Sequence, residues 1–212
     1  MDDIVKAALL KWPQVPDCHG WLALDARGDW YMRDDRTQAA GPFPQVKGSR
    51  IEHCGLREFI HRNYEVDAAS GRWFFQNGPQ RVHVELECAP WVIGVQRRSD
   101  DPTDAGAASG WRLEAHTGWV IDAVDSAWLD ERGRLFLATA RGLGLVRSTD
   151  MDAAADAVLA GLWTPQDIDS ADLPARFGHC LSPLAASQMA VSPIDIHLTA
   201  ASATKKPTRG SA

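Results

Sequence analysis

Short apolar runs that break at glycine-bearing turns recur along the chain, and they confine it to a fold assembled from β-hairpins. Trp21-Leu22-Ala23-Leu24, then Asp25-Ala26-Arg27-Gly28, then Trp30-Tyr31-Met32 reads as one such hairpin. The stretch from Trp128 through Asp130-Glu131-Arg132-Gly133 to Leu135-Phe136-Leu137 repeats its pattern and points to an internal duplication. The clearest strand pair runs from Gly71-Arg72-Trp73-Phe74-Phe75, across Gln76-Asn77-Gly78-Pro79, to residues 82–87. Strict alternation there predicts Val82, Val84 and Leu86 as the buried row and His83, Glu85 and Glu87 as the exposed one. Trp91-Val92-Ile93-Gly94-Val95 lacks polar alternation and suits a strand covered on both faces. Most of the nine tryptophans sit beside glycine or on these strands, where their large indoles fill a core.

Helical spacing appears three times. Ile4, Val5, Ala8, Leu9 and Trp12 form a stripe that Pro13 stops, and Leu56, Phe59 and Ile60 form a second. Ser148 and Thr149 stand as N-caps ahead of a third stripe of Met151, Ala155, Val158, Leu159 and Leu162. Residues 37–48 read as a surface loop, and Arg97 to Gly110 as a charged excursion between two units. After Trp163 the composition turns to Ala, Ser, Pro, Asp and Thr, which predicts a largely flexible tail. The expected fold class is α+β: repeated β-hairpin and helix motifs forming small antiparallel sheets, with flanking helices. Its parts are an N-terminal helix and linker (1–17), a first β-rich repeat (18–96), a linker (97–110), a second repeat with its closing helix (111–163) and the tail (164–212).

A net charge of −6, with basic residues clustered only in the last few positions, disfavours a nucleic-acid partner. No apolar run approaches the ~20 residues that span a bilayer, and the acidic start Met1-Asp2-Asp3 is unlike a signal peptide. The expectation is therefore a cytoplasmic protein without a membrane partner, whose Cys18, Cys54, Cys88 and Cys180 are thiols.

His and Cys are adjacent at Cys18-His19, His53-Cys54 and His179-Cys180. Contiguous side chains diverge on a strand or a helix, and zinc sites usually space their ligands two to four residues apart, so neither metal nor cofactor is assigned. There is no G-x-S-x-G and no Walker-type loop, and Gly142-Leu143-Gly144 lacks the third glycine of a dinucleotide fingerprint. Arg72, Arg81, Arg141 and Arg147 flank strands or turns, where a guanidinium fork is placed to receive a carboxylate or phosphate.

Several motifs together resemble a bacterial family, domain of unknown function 1285. They are Cys18-His19-Gly20, Arg27-Gly28-Asp29-Trp30, Gly48-Ser49-Arg50-Ile51 leading into the Leu56/Phe59 helix, residues 67–71, Gln80-Arg81-Val82-His83-Val84, Ala89-Pro90-Trp91-Val92 and Arg141-Gly142-Leu143. The likeness spans roughly residues 18–162 and implies an α+β fold of repeated β-rich motifs with a regulatory or signalling role. It supplies no catalytic residue. The chain departs from the pattern in a longer loop at 37–47 and in its Ala/Ser/Pro tail.

The reading that follows is a non-catalytic module binding a small-molecule ligand or a partner protein, with Trp73, Arg81, His83, Glu85 and Trp91 nearest the contact. One alternative is a metal-dependent or cysteine-based hydrolase using His53, Cys54, His83 and Glu85, which requires those four to converge. The other is a homodimer joined at an exposed hairpin edge.

Overall fold

The computed structural model describes residues 1–98 and 110–191. The predicted linker at 97–110 therefore falls largely outside the described residues, as does the tail beyond Val191.

Two six-stranded sheets face each other. The first unit contains α1 (Asp3–Lys11), β1 (Cys18–Leu24), β2 (Trp30–Met32), α2 (Asp35–Ala40), β3 (Ser49–Arg50), α3 (Cys54–Arg62), β4 (Tyr64–Asp67), β5 (Arg72–Asn77) and β6 (Gln80–Leu86). Its sheet runs in the order β3-β2-β1-β6-β5-β4. The second unit contains β7 (Trp91–Arg97), β8 (Trp111–Ala115), β9 (Ser126–Asp130), β10 (Leu135–Thr139), β11 (Gly142–Val146), α4 (Met151–Leu159) and β12 (Gln166–Ile168), in the order β12-β9-β10-β11-β7-β8. Two further helices follow, α5 (Leu173–Phe177) and α6 (Pro183–Val191).

The α+β class stands, but the sheets are larger than the small antiparallel ones expected, and they are mixed. β1 pairs β6 in parallel, and β7 pairs β11 in parallel. Beneath this lies a repeated topology. Each unit opens with an antiparallel hairpin (β1-β2, β7-β8), continues as a three-strand meander (β4-β5-β6, β9-β10-β11) and lays the last strand of that meander beside its first strand, with β12 added at the far edge of the second sheet. The change from one sheet to the other falls at residues 87–90, so β7, placed with residues 18–96 on sequence grounds, opens the second unit.

The turns after Asp25 and Asp130 are built alike, as their shared sequence pattern implies. In the first, Asp25 Oδ1 accepts from the backbone N–H of Arg27 and Asp29; in the second, Asp130 Oδ1 accepts from Arg132 and Arg134. Gly28 and Gly133 occupy the position that needs positive φ, +87° and +72° respectively. A basic side chain then neutralises each buried aspartate: Lys47 Nζ lies 2.9 Å from Asp25 Oδ2, and Arg134 Nε lies 2.7 Å from Asp130 Oδ2.

The inward faces of the two sheets share one apolar core that includes Leu22, Leu24, Trp30, Trp73, Trp91, Ile93, Trp111 and Leu137, and α3 and α4 pack against it. β7 is buried along Trp91–Val95, as its unbroken apolar run predicts. Both outward faces are covered by the region expected to be a flexible tail. Leu173 and Phe177 of α5 pack on Trp128, Phe136, Leu143 and Leu145 of the second sheet. The segment 178–191 lies on the first sheet, where Cys180 N–H donates to Gly71 O at 2.9 Å, Leu86 N–H donates to Leu181 O at 2.8 Å, and α6 packs on β1 and β6.

Three local expectations change. Residues 37–48 are not all loop, because Asp34 caps α2 by accepting from the backbone N–H and the hydroxyl of Thr37. Of the α1 stripe only Val5 is buried, while Ala8 and Leu9 are half-buried and Ile4 and Trp12 stay exposed. In α4 the buried positions are Ala154 and Ala157, whose small side chains let the helix lie close to β7, and Leu159 is 85% exposed. Leu159→Gln keeps helix propensity and loses no burial, so urea unfolding should move by less than about 0.5 kcal/mol. A shift above 1–2 kcal/mol would mean that Leu159 is covered in solution.

Candidate functional site

Where the two sheets meet, aromatic rings stack into a continuous array. Trp73 and Trp91 lie 5.1 Å apart in edge contact, and Tyr64 packs against them at 4.9 and 5.4 Å. The array is held at its polar edges: the Tyr64 hydroxyl donates to Pro90 O at 3.1 Å, and Trp91 Nε1–H donates to Arg141 O at 2.8 Å. Beside them the half-buried His116 packs 5.6 to 6.1 Å from Trp30, Trp91 and Tyr64. Its Nδ1 accepts from Val92 N–H, and burial lowers its pKa to about 3, with His61 and Arg147 adding to the shift. Its imidazole is neutral at physiological pH.

Trp73 also forms a wall of a crevice of about 260 Å³ that three distant parts of the chain complete. The β4-β5 turn contributes Ala68 and Gly71, the β10-β11 turn contributes Ala140, Arg141 and Gly142, and the segment after α5 contributes Gly178 and His179. Arg141 is exposed, its guanidinium stacks 4.4 Å over the Trp119 ring, and it has no carboxylate partner among the described residues. His179 is only 6% exposed, and neither ring nitrogen has a hydrogen-bond partner among the described residues. Burial lowers its pKa to about 4; the Cys88 backbone pulls the other way without reaching hydrogen-bond geometry to either nitrogen. A buried polar group left unpaired is costly, so an orphaned imidazole on a cavity wall calls for a partner.

The five sequence-derived contact residues fall in two places. Trp73 lines the crevice and Trp91 backs it, both on the inner side. Arg81, His83 and Glu85 belong to the opposite face of the first sheet, since His83 pairs with Phe74 while Trp73 and Phe75 point inward. Arg81 is exposed and lies 4.7 Å over the Phe74 ring. His83 and Glu85 are not the exposed row that alternation predicts, being 2% and 3% exposed. The reason is the covering segment 178–191, whose Leu184 N–H donates to Glu85 Oε1 at 3.0 Å. Burial raises the pKa of Glu85, against hydrogen bonds from Ser182 and Leu184 and the nearby charge of Arg33. His83 Nε2 meets Asp17 Oδ2 at 2.9 Å, and His19 stacks on the His83 ring at 4.5 Å. His19, lowered in pKa by burial and by that neighbour, completes a packed polar layer rather than a cleft.

His53, Cys54, His83 and Glu85, the set a hydrolase would need, do not converge. His53 is the N-cap of α3, its Nδ1 accepting from Leu56 N–H, and Cys54 is exposed beside it. α3 packs on the inner face through Phe59 and Phe75, so the sheet separates these two from His83 and Glu85. Among the described residues no three His, Cys, Asp or Glu side chains are gathered as a metal site would require. Among the described residues, too, no helix is long and apolar enough to cross a membrane.

Two stacked mixed sheets of repeated topology, with an aromatic crevice at their junction, define the molecule as a two-unit α+β protein. The chain belongs to the family DUF2944, whose model, described as a protein of unknown function (DUF2946), matches residues 1–184. No curated protein matches it. Among solved structures it is similar to a DUF1285 family protein from Shewanella baltica OS155, 16% identical with a TM-score of 0.42, over 65% of this chain and 91% of that one. It is also similar to a DUF1285 family protein from Silicibacter pomeroyi DSS-3, 14% identical with a TM-score of 0.45, over 70% of this chain and 74% of that one. The distant likeness to DUF1285 proteins read from the motifs is thus met in solved structures, while the family that matches along the chain is a different one.

Proposed function

We propose that this protein is a non-catalytic binding module whose small-molecule ligand occupies the crevice between Trp73, Arg141 and His179. The observation that carries the reading is the meeting of an indole wall, an arginine without a carboxylate partner and a buried imidazole without a hydrogen-bond partner, both among the described residues, at one cavity. Concave, largely apolar sites with a few convergent polar groups are the usual form of a small-molecule pocket. The crevice is also suited to regulation. Its walls belong to the first unit, the second unit and the segment that covers both outward faces, so an occupant ties all three together and stabilises the folded state by mass action.

The test is a thermal-shift screen of small molecules against the wild-type protein and Ala140→Trp, which places an indole in the crevice from an exposed turn position. Compounds that raise the wild-type melting temperature should leave the plugged variant unchanged. Hits that stabilise both proteins equally, or no hit at all, would remove the crevice as the ligand seat.

A further inference from the structure

Resting on that reading, we infer that the crevice takes a single planar ring carrying one carboxylate and a ring nitrogen, the chemistry of a heteroaromatic monocarboxylate. Size sets the first limit. About 260 Å³ is slightly below the ~300 Å³ at which drug-sized pockets begin, which suits one substituted ring and excludes a dinucleotide. The wall sets the second. Gly142 lies at the edge of the Trp73 indole, and a Cβ there would stand 3.4 Å from Trp73 Cζ2, so glycine leaves the rim of that flat surface open to a stacked ring.

Charge sets the third limit. Among the described residues no acidic side chain lines the crevice, which disfavours a cation, and Arg141 is the one arginine or lysine on its wall. A guanidinium seated 4.4 Å over the Trp119 ring keeps its N–H donors, and a carboxylate meets such a fork with two parallel hydrogen bonds. A phosphate monoester carries nearly two negative charges and would leave one of them unmatched. His179 sets the fourth: a neutral imidazole has one donor and one acceptor, both without a protein partner among the described residues, and a ring nitrogen on the ligand accepts from its N–H.

The probe that combines these features is pyridine-3-carboxylate (nicotinate), and its amide (nicotinamide) is the matched compound without the charge. Isothermal titration of the full chain with both, and with acetate as the ringless acid, reads the inference directly. Nicotinate should bind about tenfold or more tightly than nicotinamide, as expected of a charge-assisted pair over a neutral one, with acetate weaker still. Arg141→Gln should erase the difference between nicotinate and nicotinamide. His179→Phe should weaken both compounds alike, because it removes the ring-nitrogen contact they share. Equal binding of acid and amide to the wild type, or a preference that survives Arg141→Gln, would overturn the ligand class. No saturation by nicotinate at millimolar concentration would overturn it as well. In each of those cases the binding reading still stands if screen hits are lost in Ala140→Trp, and it falls separately if they are not.

Discussion

Asp25→Ala should lower the stability of the protein by about 3 kcal/mol at neutral pH, within the range for breaking a buried ion pair. The Asp25 side chain is 1% exposed and serves four donors at once: the backbone N–H of Arg27 and Asp29 at 2.9 Å, the Tyr31 hydroxyl at 3.2 Å and Lys47 Nζ at 2.9 Å. Alanine leaves the turn amides unpaired, and it leaves Lys47 with Glu87 alone, at 3.1 Å. Lys47 retains some solvent, which places the loss toward the lower end of the range. Burial by itself would raise the pKa of Asp25, but the Lys47 hydrogen bond and the two backbone N–H groups outweigh it and hold the pKa below its ordinary value. A carboxylate with a depressed folded pKa adds stability above its unfolded value, near 3.9, and that stability drains away as pH falls through the folded value. Urea unfolding should therefore show the wild type and Asp25→Ala far apart at pH 7 and converging below about pH 4. A separation of less than about 1 kcal/mol at pH 7 would mean that the turn amides and Lys47 find other partners.

Gly71→Ala should be the other severe substitution, and it acts on a different layer. Gly71 has φ +67°, and a Cβ there would collide with the carbonyl oxygen of Gly178 and lie 3.3 Å from His179 Cα. The left-handed conformation alone costs roughly 1–2 kcal/mol for a residue with a side chain. The collision adds to this, because backbone on both sides cannot yield as a flexible side chain would. Relief requires the 178–180 segment to lift, breaking the Cys180 N–H to Gly71 O bond and removing His179 from the crevice. The expected total is about 3 kcal/mol, with faster amide exchange confined mainly to residues 178–191 and loss of ligand-induced thermal shift. Gly133→Ala is the control. It has φ +72° and nothing within 4 Å of its Cβ position, so it should cost only the conformational part and leave the covering segment protected. Similar exchange profiles for the two variants would show that Gly71 does not pin that segment.

The strands were legible because alternation is a local signal. Arg72–Asn77 and Gln80–Leu86 lie where the pattern around Gln76-Asn77-Gly78-Pro79 predicts, and the resemblance of the Asp25 and Asp130 turns extends to their individual hydrogen bonds. Alternation assigns residues to faces but does not say how many faces are covered. His83 and Glu85 therefore read as exposed, since the chain that covers them begins some 90 positions later in an Ala/Ser/Pro-rich stretch with little periodicity of its own. The parallel joins of β1 to β6 and of β7 to β11 were hidden for a related reason: their registers depend on strands tens of residues apart. Of the crevice, Trp73 was legible as an indole on a strand. Arg141 stood among four comparable arginines, and His179 lay in the region read as mobile, so only three-dimensional closure groups them.

The placing of the last meander strand beside the first strand, β6 by β1 and β11 by β7, has a consequence for how such a molecule can grow. The chain enters and leaves the sheet of the first unit on neighbouring strands in its middle, so a second unit can be appended through a link as short as residues 87–90 without threading any loop. Tandem addition of this kind leaves the earlier ladder untouched and creates only one new requirement, a shared dry seam between copies. In this protein that seam is where the indoles concentrate and where the crevice opens.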